Sequence, residues 1–209
     1  MATGEAADSI IDAASLRAYY GEPTPRALKK QLSKLDKHCR HFISLSPFLV
    51  MATSDAQGRA DASPKGDAPG FVHVVDDTTL LVPDRLGNNR CDGLNNLLEN
   101  PQIGLLFFLP GRDETLRVNG RAEIITDPTI LEGLMAQAKV PRSAIRVTVE
   151  EAYMHCGKSV IRSDLWNSDK YIGKDGFPSL GRVLADQIDG LDPETSDRMT
   201  EESYRTRLY

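Results

Sequence analysis

The sequence is poor in cysteine and tryptophan, and it has no long apolar run. Its three cysteines, Cys39, Cys91 and Cys156, are too few and too far apart for a disulfide framework or a zinc cage. A membrane-spanning helix needs about 20 apolar residues, whereas the longest apolar run, residues 103–109, has the length of a buried strand. These absences predict a cytoplasmic protein with reduced thiols and no membrane span.

Positive charge is also in short supply. Lysine and arginine number 25 against 30 acidic residues, which gives a net charge of -5. Non-specific binding of nucleic acid usually needs a concentrated basic face, so nucleic acid is not an expected partner. The first 15 residues carry acids and lack the basic and apolar regions of a signal peptide. The length of 209 residues suits one compact domain with helical additions.

Two polar blocks stand out, each at the predicted end of an apolar strand. The first block comprises Ser63, Pro64, Lys65, Gly66 and Asp67, and the second, within residues 82–90, contains Arg85, Asn88, Asn89 and Arg90. Glycine lets a backbone approach a ligand closely, and lysine and arginine donate charge-assisted hydrogen bonds to phosphate oxygens. A predicted helix after the second block would add free amides and the positive end of its dipole. Together the blocks predict a site for a phosphate that carries a polar ring.

Each block taken alone has a simpler interpretation. Proline and glycine in the first block are typical of an ordinary turn, or of a bulge or strand end. In the second block, Asn88 or Asn89 could cap the following helix while the arginines remain solvated. Only the combination of the two blocks favours a ligand site over these alternatives.

Periodicity predicts the remaining elements. A helix is expected over residues 28–42, a strand over 48–53 with a return strand after a turn at 55–58, and a hairpin of residues 71–75 and 78–82. Residues 103–109 predict a strand covered on both faces, and the alternation of residues 115–124 predicts a half-buried strand. Asp127–Pro128 predicts the start of a helix that runs to about Lys139. A last strand over 145–149, a short helix near Ile161, a helix over 180–188 and a polar tail complete the chain.

Cys156 lies next to His155, which raises the possibility of a nucleophile and its base. Adjacent strand residues point to opposite faces, so a direct pair is not expected and a buried free thiol is the better interpretation. His38 and His41 lack partners at a metal-ligand spacing, and no metal site is predicted.

The order of motifs between Phe48 and Trp166 resembles the FMN-binding split-barrel family that includes pyridoxamine 5′-phosphate oxidase. The matching blocks are PFLVMATSDAQGRADASPKGD, LLVPDRLGNNR, LLENPQIGLLFFLPG, ETLRVNGRAEI and MHCGKSVIRSDLW, which cover a little over half of the chain. The resemblance implies a mainly β, α+β fold: a six-stranded antiparallel split β-barrel with flanking helices. It also implies a homodimer with FMN in clefts between the subunits. The expected divisions are a helical segment packing on the barrel (1–45), the barrel (46–172), and a helix with a tail (173–209).

The resemblance also assigns candidate cofactor contacts. The phosphate end falls to Arg85, Asn88, Asn89 and Arg90, and the ring with its polar edge to Ser63, Pro64, Lys65, Gly66 and Asp67. Thr115 and Arg117 lie on the long strand that approaches the flavin in this family, and Lys158 and Ser159 would complete the pocket across the dimer. Because FMN carries its own redox centre, no catalytic side chain is assigned.

The expected function is therefore an FMN-dependent oxidoreductase that transfers hydride to or from an unknown small molecule, with NAD(P)H a candidate reductant. Vitamin B6 specificity is not expected. Pyridoxamine phosphate oxidases have an Arg-Lys pair where this chain reads Gly87-Asn88-Asn89-Arg90, and an arginine followed by proline that residues 205–209 lack. Two alternatives stay open: a noncatalytic flavin-binding or flavin-storage protein, and a split barrel that uses haem or a deazaflavin.

Overall fold

The computed structural model describes residues 9–209 and divides the chain between Gln31 and Leu32 into two compact units. The first unit contains two short helices, α1 (Ala13–Tyr20) and α2 (Pro25–Lys29). Each begins at a side-chain cap, because Asp12 accepts from the Ser15 amide and Thr24 from the Ala27 amide. The expectation about a signal peptide rests partly on residues 1–8, which lie outside the described residues.

The second unit is built on an antiparallel sheet with helices around it. Its strands are β1 (Phe48–Ser54), β2 (Ala60–Gly66), β3 (His73–Val74), β4 (Thr79–Asp84), β5 (Gln102–Phe108), β6 (Thr115–Ile125) and β7 (Ser143–His155). Its α-helices are α3 (Lys37–Leu45), α4 (Asp92–Glu99), α5 (Pro128–Glu132), α6 (Lys158–Ser163), α7 (Leu180–Gln187) and α8 (Pro193–Thr206). No helix in residues 9–209 is both long and apolar enough to cross a membrane.

The strands follow the order β2-β1-β5-β6-β7-β4-β3, and every pair is antiparallel. The predicted fold, an antiparallel split barrel with flanking helices, is confirmed. The sheet has seven strands rather than six because the two-residue β3 pairs with Leu80 and Leu81 of β4. Short pairing at β3 leaves the carboxyl half of β4 without a strand on that side, which matters for the site described below.

The main core lies inside the curved sheet. Alternate strand residues are buried, such as Leu49 and Met51 on β1, and α3 adds Cys39, Phe42 and Ile43 to the same cluster. A smaller cluster fills the space beneath α5 and consists of Leu81, Ile125, Leu131, Leu134 and Ala144.

The helix expected over residues 28–42 is wrong. Residues 30–36 leave the helical path, because the Leu32 amide donates to the Ala152 carbonyl and the Ala152 amide donates back to Leu32. Asp36 then caps α3 by accepting from the amides of His38 and Cys39. The apolar spacing came from Leu28 in α2, the bridge residue Leu32 and the buried face of α3, which together imitated a single helical face.

One further helix prediction needs correction, and one helix was not predicted. The helix predicted to reach Lys139 ends at Glu132, and Gln137 and Ala138 have positive φ values of 48° and 58° that no right-handed helix accommodates. The polar tail, for which no element was predicted, forms α8, which packs against α7. Asp197 of α8 accepts from the Gly181 amide at 2.8 Å and from the Ser179 hydroxyl at 2.6 Å, so the two helices are joined at the start of α7.

Two burial predictions also fail. β5 buries Ile103, Leu105 and Phe107, while the residues between them are only half-buried or more exposed, so this chain covers one face of the strand and not both. Cys156 is exposed rather than buried, because it follows the end of β7 in the turn before α6.

Candidate functional site

The two sides of the split in the barrel approach each other at β2 and β4, and we call this gap the seam. Strand pairing within residues 9–209 does not join β2 to β4; ion pairs cross between them and their flanks instead. Lys65 Nζ lies 3.0 Å from Asp84 Oδ1, and Arg85 Nε lies 2.7 Å from Asp67 Oδ2. Charged side chains thus span the seam where backbone hydrogen bonds end.

A cavity of about 310 Å³ opens along the seam, and we call it the seam cleft. It is lined by residues of both predicted polar blocks together with β1, the start of α4 and the loop before β7: Met51, Ser63, Pro64, Lys65, Asp84, Arg85, Leu86, Gly87, Asn88, Asn89, Arg90, Cys91, Asp92, Gly93, Leu94 and Arg142. Seven of the thirteen predicted contacts therefore share one cleft: Ser63, Pro64, Lys65, Arg85, Asn88, Asn89 and Arg90.

The first block forms the end of β2, as predicted, and contains no bulge. Ser63, Pro64 and Lys65 pair with β1 in an unbroken register. Pro64 is tolerated there because β2 is an edge strand, where a missing amide costs no ladder hydrogen bond. Ser63 and Lys65 are half-buried, and their alternation with Pro64 places both on one face of β2. Gly66 and Asp67 follow at the edge of the cleft without lining it.

The second block forms a strained loop into α4. Asn89 and Cys91 have positive φ values of 61° and 59°, a region that asparagine tolerates and most other side chains avoid. Asn88 accepts from the Arg90 amide, so it stabilises the loop. Cys91, and neither asparagine, occupies the N-cap of α4, which corrects the capping interpretation.

The start of α4 lies against the cleft without a side-chain cap from the described residues. Gly93 permits this approach, because a Cβ there would lie 2.8 Å from Met51 Cε. Amides in an uncapped first turn, together with the helix dipole, favour an anionic group. The carboxylate of Asp92 lies in the same turn, so its negative charge opposes the binding of an anion there.

The cations of the cleft differ in how they are neutralised. Lys65 and Arg85 face acidic partners across the seam, and Arg90, with a side chain 74% exposed, lies 2.8 Å from Asp92. Arg142 Nη1 donates to the amide oxygen of Asn89 at 3.2 Å, and within residues 9–209 it has no acidic partner. Arg142 is therefore the cation of the cleft without a counter-charge, and sequence periodicity gave no signal for it.

Arg85 is held from two directions. Its Nε donates to Asp67, and its Nη1 donates to the Leu134 carbonyl at 2.8 Å. The side chains of Arg85 and Asp67 are 17% and 3% exposed. Burial alone would raise the pKa of the Asp67 carboxyl. Hydrogen bonds from the Tyr209 hydroxyl, the Ala68 amide and Arg85 outweigh burial and lower that pKa below its ordinary value.

The lowered pKa of Asp67 predicts an acid-dependent contribution to stability. The Asp67 carboxyl binds its proton more weakly in the folded protein than in the unfolded chain. Its ionised form therefore stabilises the fold at pH values above the ordinary carboxyl pKa, and this stabilisation is lost as the pH falls through the pKa of Asp67 in the folded protein. We expect the free energy of unfolding to fall more steeply from about pH 5 to pH 3 in the wild type than in Asp67→Asn. Urea denaturation at a series of pH values measures both slopes, and equal slopes would contradict the assignment.

The remaining predicted contacts lie elsewhere in this chain. Thr115 is buried at the start of β6, and Arg117 donates from Nη1 to the Tyr153 hydroxyl at 2.9 Å. Lys158 and Ser159 are exposed in the first turn of α6. None of the four lines the seam cleft. Within residues 9–209, no cluster of three or more histidine, cysteine or acidic side chains is arranged to hold a metal ion.

Comparison with known proteins gives one family match. The family model described as Pyridoxamine 5′-phosphate oxidase matches residues 35–156, more than half of the chain. No curated protein matches the chain significantly in sequence.

Among solved structures, HupZ from Group A Streptococcus is 22% identical, with 56% of this chain and 91% of that chain covered and a TM-score of 0.46. General Stress Protein 26 from Bacillus anthracis is 16% identical, with 56% and 93% covered and a TM-score of 0.42. An FMN-binding protein from Syntrophomonas wolfei is 13% identical, with 56% and 83% covered and a TM-score of 0.44.

Proposed function

Because the chain belongs to the pyridoxamine 5′-phosphate oxidase family, we propose that it binds FMN in the seam cleft and acts as an FMN-dependent oxidoreductase. The observation that carries the proposal is the meeting of two sequence-distant polar blocks in one cleft beside an uncapped helix start. The substrate is a small molecule whose identity the site does not specify.

The donor set fits the phosphate end of FMN. Arg90 and Arg142 supply charge at the mouth of the cleft, and the first turn of α4 supplies amides. Arg85 is less suited to direct phosphate contact than its sequence position indicated, since Asp67 and Leu134 already occupy two of its donors. A phosphate that reaches Arg90 competes with Asp92 for the guanidinium.

The opposite wall suits a flat ring with polar edges. Ser63 and Lys65 offer a hydroxyl and an ammonium from one face of β2, and the apolar residues Met51 and Pro64 also line the cleft. When bound, FMN would supply the hydride chemistry, so these residues need only bind and orient it.

The size of the cleft supports a dimer. A cavity of about 310 Å³ is near the lower end of the roughly 300–1,000 Å³ of small-molecule pockets. One protomer would therefore enclose FMN incompletely. We propose that a second protomer closes the cleft and that Thr115, Arg117, Lys158 and Ser159 contribute across that interface. The divisions of the chain at residues 45 and 172 likewise stay a prediction.

The haem alternative has less support than the flavin. No histidine among the described residues lines the seam cleft, and His155 lies at the end of β7 outside it. A flavin-storage role remains the second candidate, and turnover distinguishes it from catalysis. Flavin in the loaded protein that NAD(P)H or a substrate reduces repeatedly supports the enzyme, whereas bound flavin without turnover supports storage.

Cysteine protection tests the location of FMN within a single protein. Cys91 lines the cleft and Cys156 is exposed outside it, whereas burial raises the pKa of the Cys39 thiol to about 11. We expect iodoacetamide to modify Cys91 and Cys156 in the native apoprotein and Cys39 only after unfolding. Saturating FMN should slow the modification of Cys91 by about tenfold and leave Cys156 unchanged.

Mass spectrometry of digested samples reports each cysteine separately, so Cys156 serves as the internal control. Equal slowing at both cysteines would indicate a global effect rather than occupancy of the cleft. FMN that binds without protecting Cys91 would place the cofactor elsewhere, and absence of FMN binding would remove the proposed function.

A further inference from the structure

Tyr209 lies after α8 and reaches the seam from the far end of the described chain. Its hydroxyl donates to Asp67 Oδ1 at 2.7 Å, and the other oxygen of that carboxylate accepts from Arg85 Nε at 2.7 Å. One carboxylate therefore joins Tyr209 to Arg85. The bond from Tyr209 to Asp67 spans 142 positions of the sequence, so it ties the α8 region to β2.

Arg85 stands between two cavities. It lines the seam cleft and also a second cavity of about 190 Å³, which we call the adjoining cavity. Tyr209 lines the adjoining cavity and not the seam cleft. Arg85 thus forms part of the wall that the two spaces share, together with Asp84, Leu86 and Arg142. Tyr209 reaches Arg85 through Asp67.

We propose that Tyr209 is a positioning residue: its hydroxyl fixes the Asp67 carboxylate, which in turn fixes Arg85 in the wall between the seam cleft and the adjoining cavity. The proposal rests on the proposed function in so far as it concerns FMN affinity. The coupling of Tyr209 to Arg85 does not depend on FMN, because it is a property of the protein without a cofactor.

The geometry explains why the hydroxyl matters beyond a general tether. Asp67 Oδ1 also accepts from the Ala68 amide at 2.7 Å, so the carboxylate has two donors on one oxygen and Arg85 on the other. Loss of the hydroxyl leaves a nearly buried carboxylate one donor short. Water or a rotation of the carboxylate must then supply the missing hydrogen bond, and either change loosens Arg85.

The test compares Tyr209→Phe with Tyr204→Phe, the same substitution at an exposed tyrosine of α8. The first measurement is hydrogen exchange of the Arg85 Nε–H by NMR in the full-length apoprotein, with the resonance assigned by its loss in Arg85→Lys. We expect exchange to be about fivefold faster in Tyr209→Phe and unchanged in Tyr204→Phe. Thermal unfolding of each variant verifies that it is folded.

The second measurement is FMN affinity. Tyr209→Phe should weaken it by about fivefold, and in an Arg85→Lys background the same change should have little further effect, because the two residues act through one connection. Unchanged Arg85 exchange in Tyr209→Phe overturns the positioning role, and so does an affinity loss of equal size in both backgrounds. A wild-type protein that binds no FMN would refute the proposed function alone, since the exchange experiment needs no cofactor.

Discussion

Replacing Arg90 and Arg142 together with alanine is expected to weaken FMN binding by about 100-fold without unfolding the protein. Both side chains line the seam cleft, and Arg142 donates to Asn89, the residue that precedes Arg90. Arg142 has no acidic partner among the described residues, and Arg90 forms an ion pair with the half-buried Asp92. Their charge is therefore available to an anion.

The two positive charges account for a loss of this size. A hydrogen bond to a charged group contributes about 1.5–3 kcal/mol, and we take the lower end because Arg90 is 74% exposed and must leave Asp92. Each single variant should then lose about tenfold in affinity. The losses should also shrink at high salt, because exposed charges are screened.

Fluorescence titration of FMN measures the affinity, and circular dichroism verifies the fold. Arg182→Ala is the matched control, since Arg182 is also an exposed arginine paired with an aspartate close in sequence, but on α7 and outside the cleft. An affinity loss in the control equal to that of the double variant would mean that net charge alone governs binding. Wild-type affinity in the double variant would remove both arginines from the phosphate site.

Of the two arginines, Arg90 could be predicted from the sequence as a candidate ligand and Arg142 could not. Arg90 belongs to a compact polar block that follows a strand, and such a block is visible along the chain. Arg142 follows Pro141 in a loop, and only the pairing of β4 with β7 brings it to the same cleft. A contact that depends on strand pairing leaves no local pattern.

Arg85 illustrates a second limit. Arg85 lines the cleft together with the rest of its polar block, but its partners are Asp67, Leu134 and, through Asp67, Tyr209. These partners are distant in sequence, so the sequence could not show that Arg85 is half-buried and paired rather than free to bind a phosphate. Periodicity failed for the same reason over residues 28–42, where a bridge to β7 replaced a helical turn.

Gly120→Ala is expected to destabilise the fold by at least about 3 kcal/mol. The alternating pattern of β6 predicted Gly120 as one more core-facing position, but the pairing with β7 shifts register between Asn119 and Gly120. A Cβ at Gly120 would clash with the carbonyl oxygen of Thr148 on β7. Because that oxygen belongs to the backbone, a rotamer change cannot relieve the clash, and the two central strands must separate.

The matched control is Gly173→Ala, where a Cβ would meet no atom within 4 Å and φ is -65°, a value that alanine adopts readily. Urea denaturation should give a much lower midpoint for Gly120→Ala and an unchanged midpoint for Gly173→Ala. The extra residue of the bulge, Glu150, lies on β7, where the buried positions change from Val147 and Val149 to Ala152. The alternation of β6 runs through the bulge unchanged. If Gly120→Ala kept wild-type stability, β6 and β7 would have to pair without the close approach seen at the bulge.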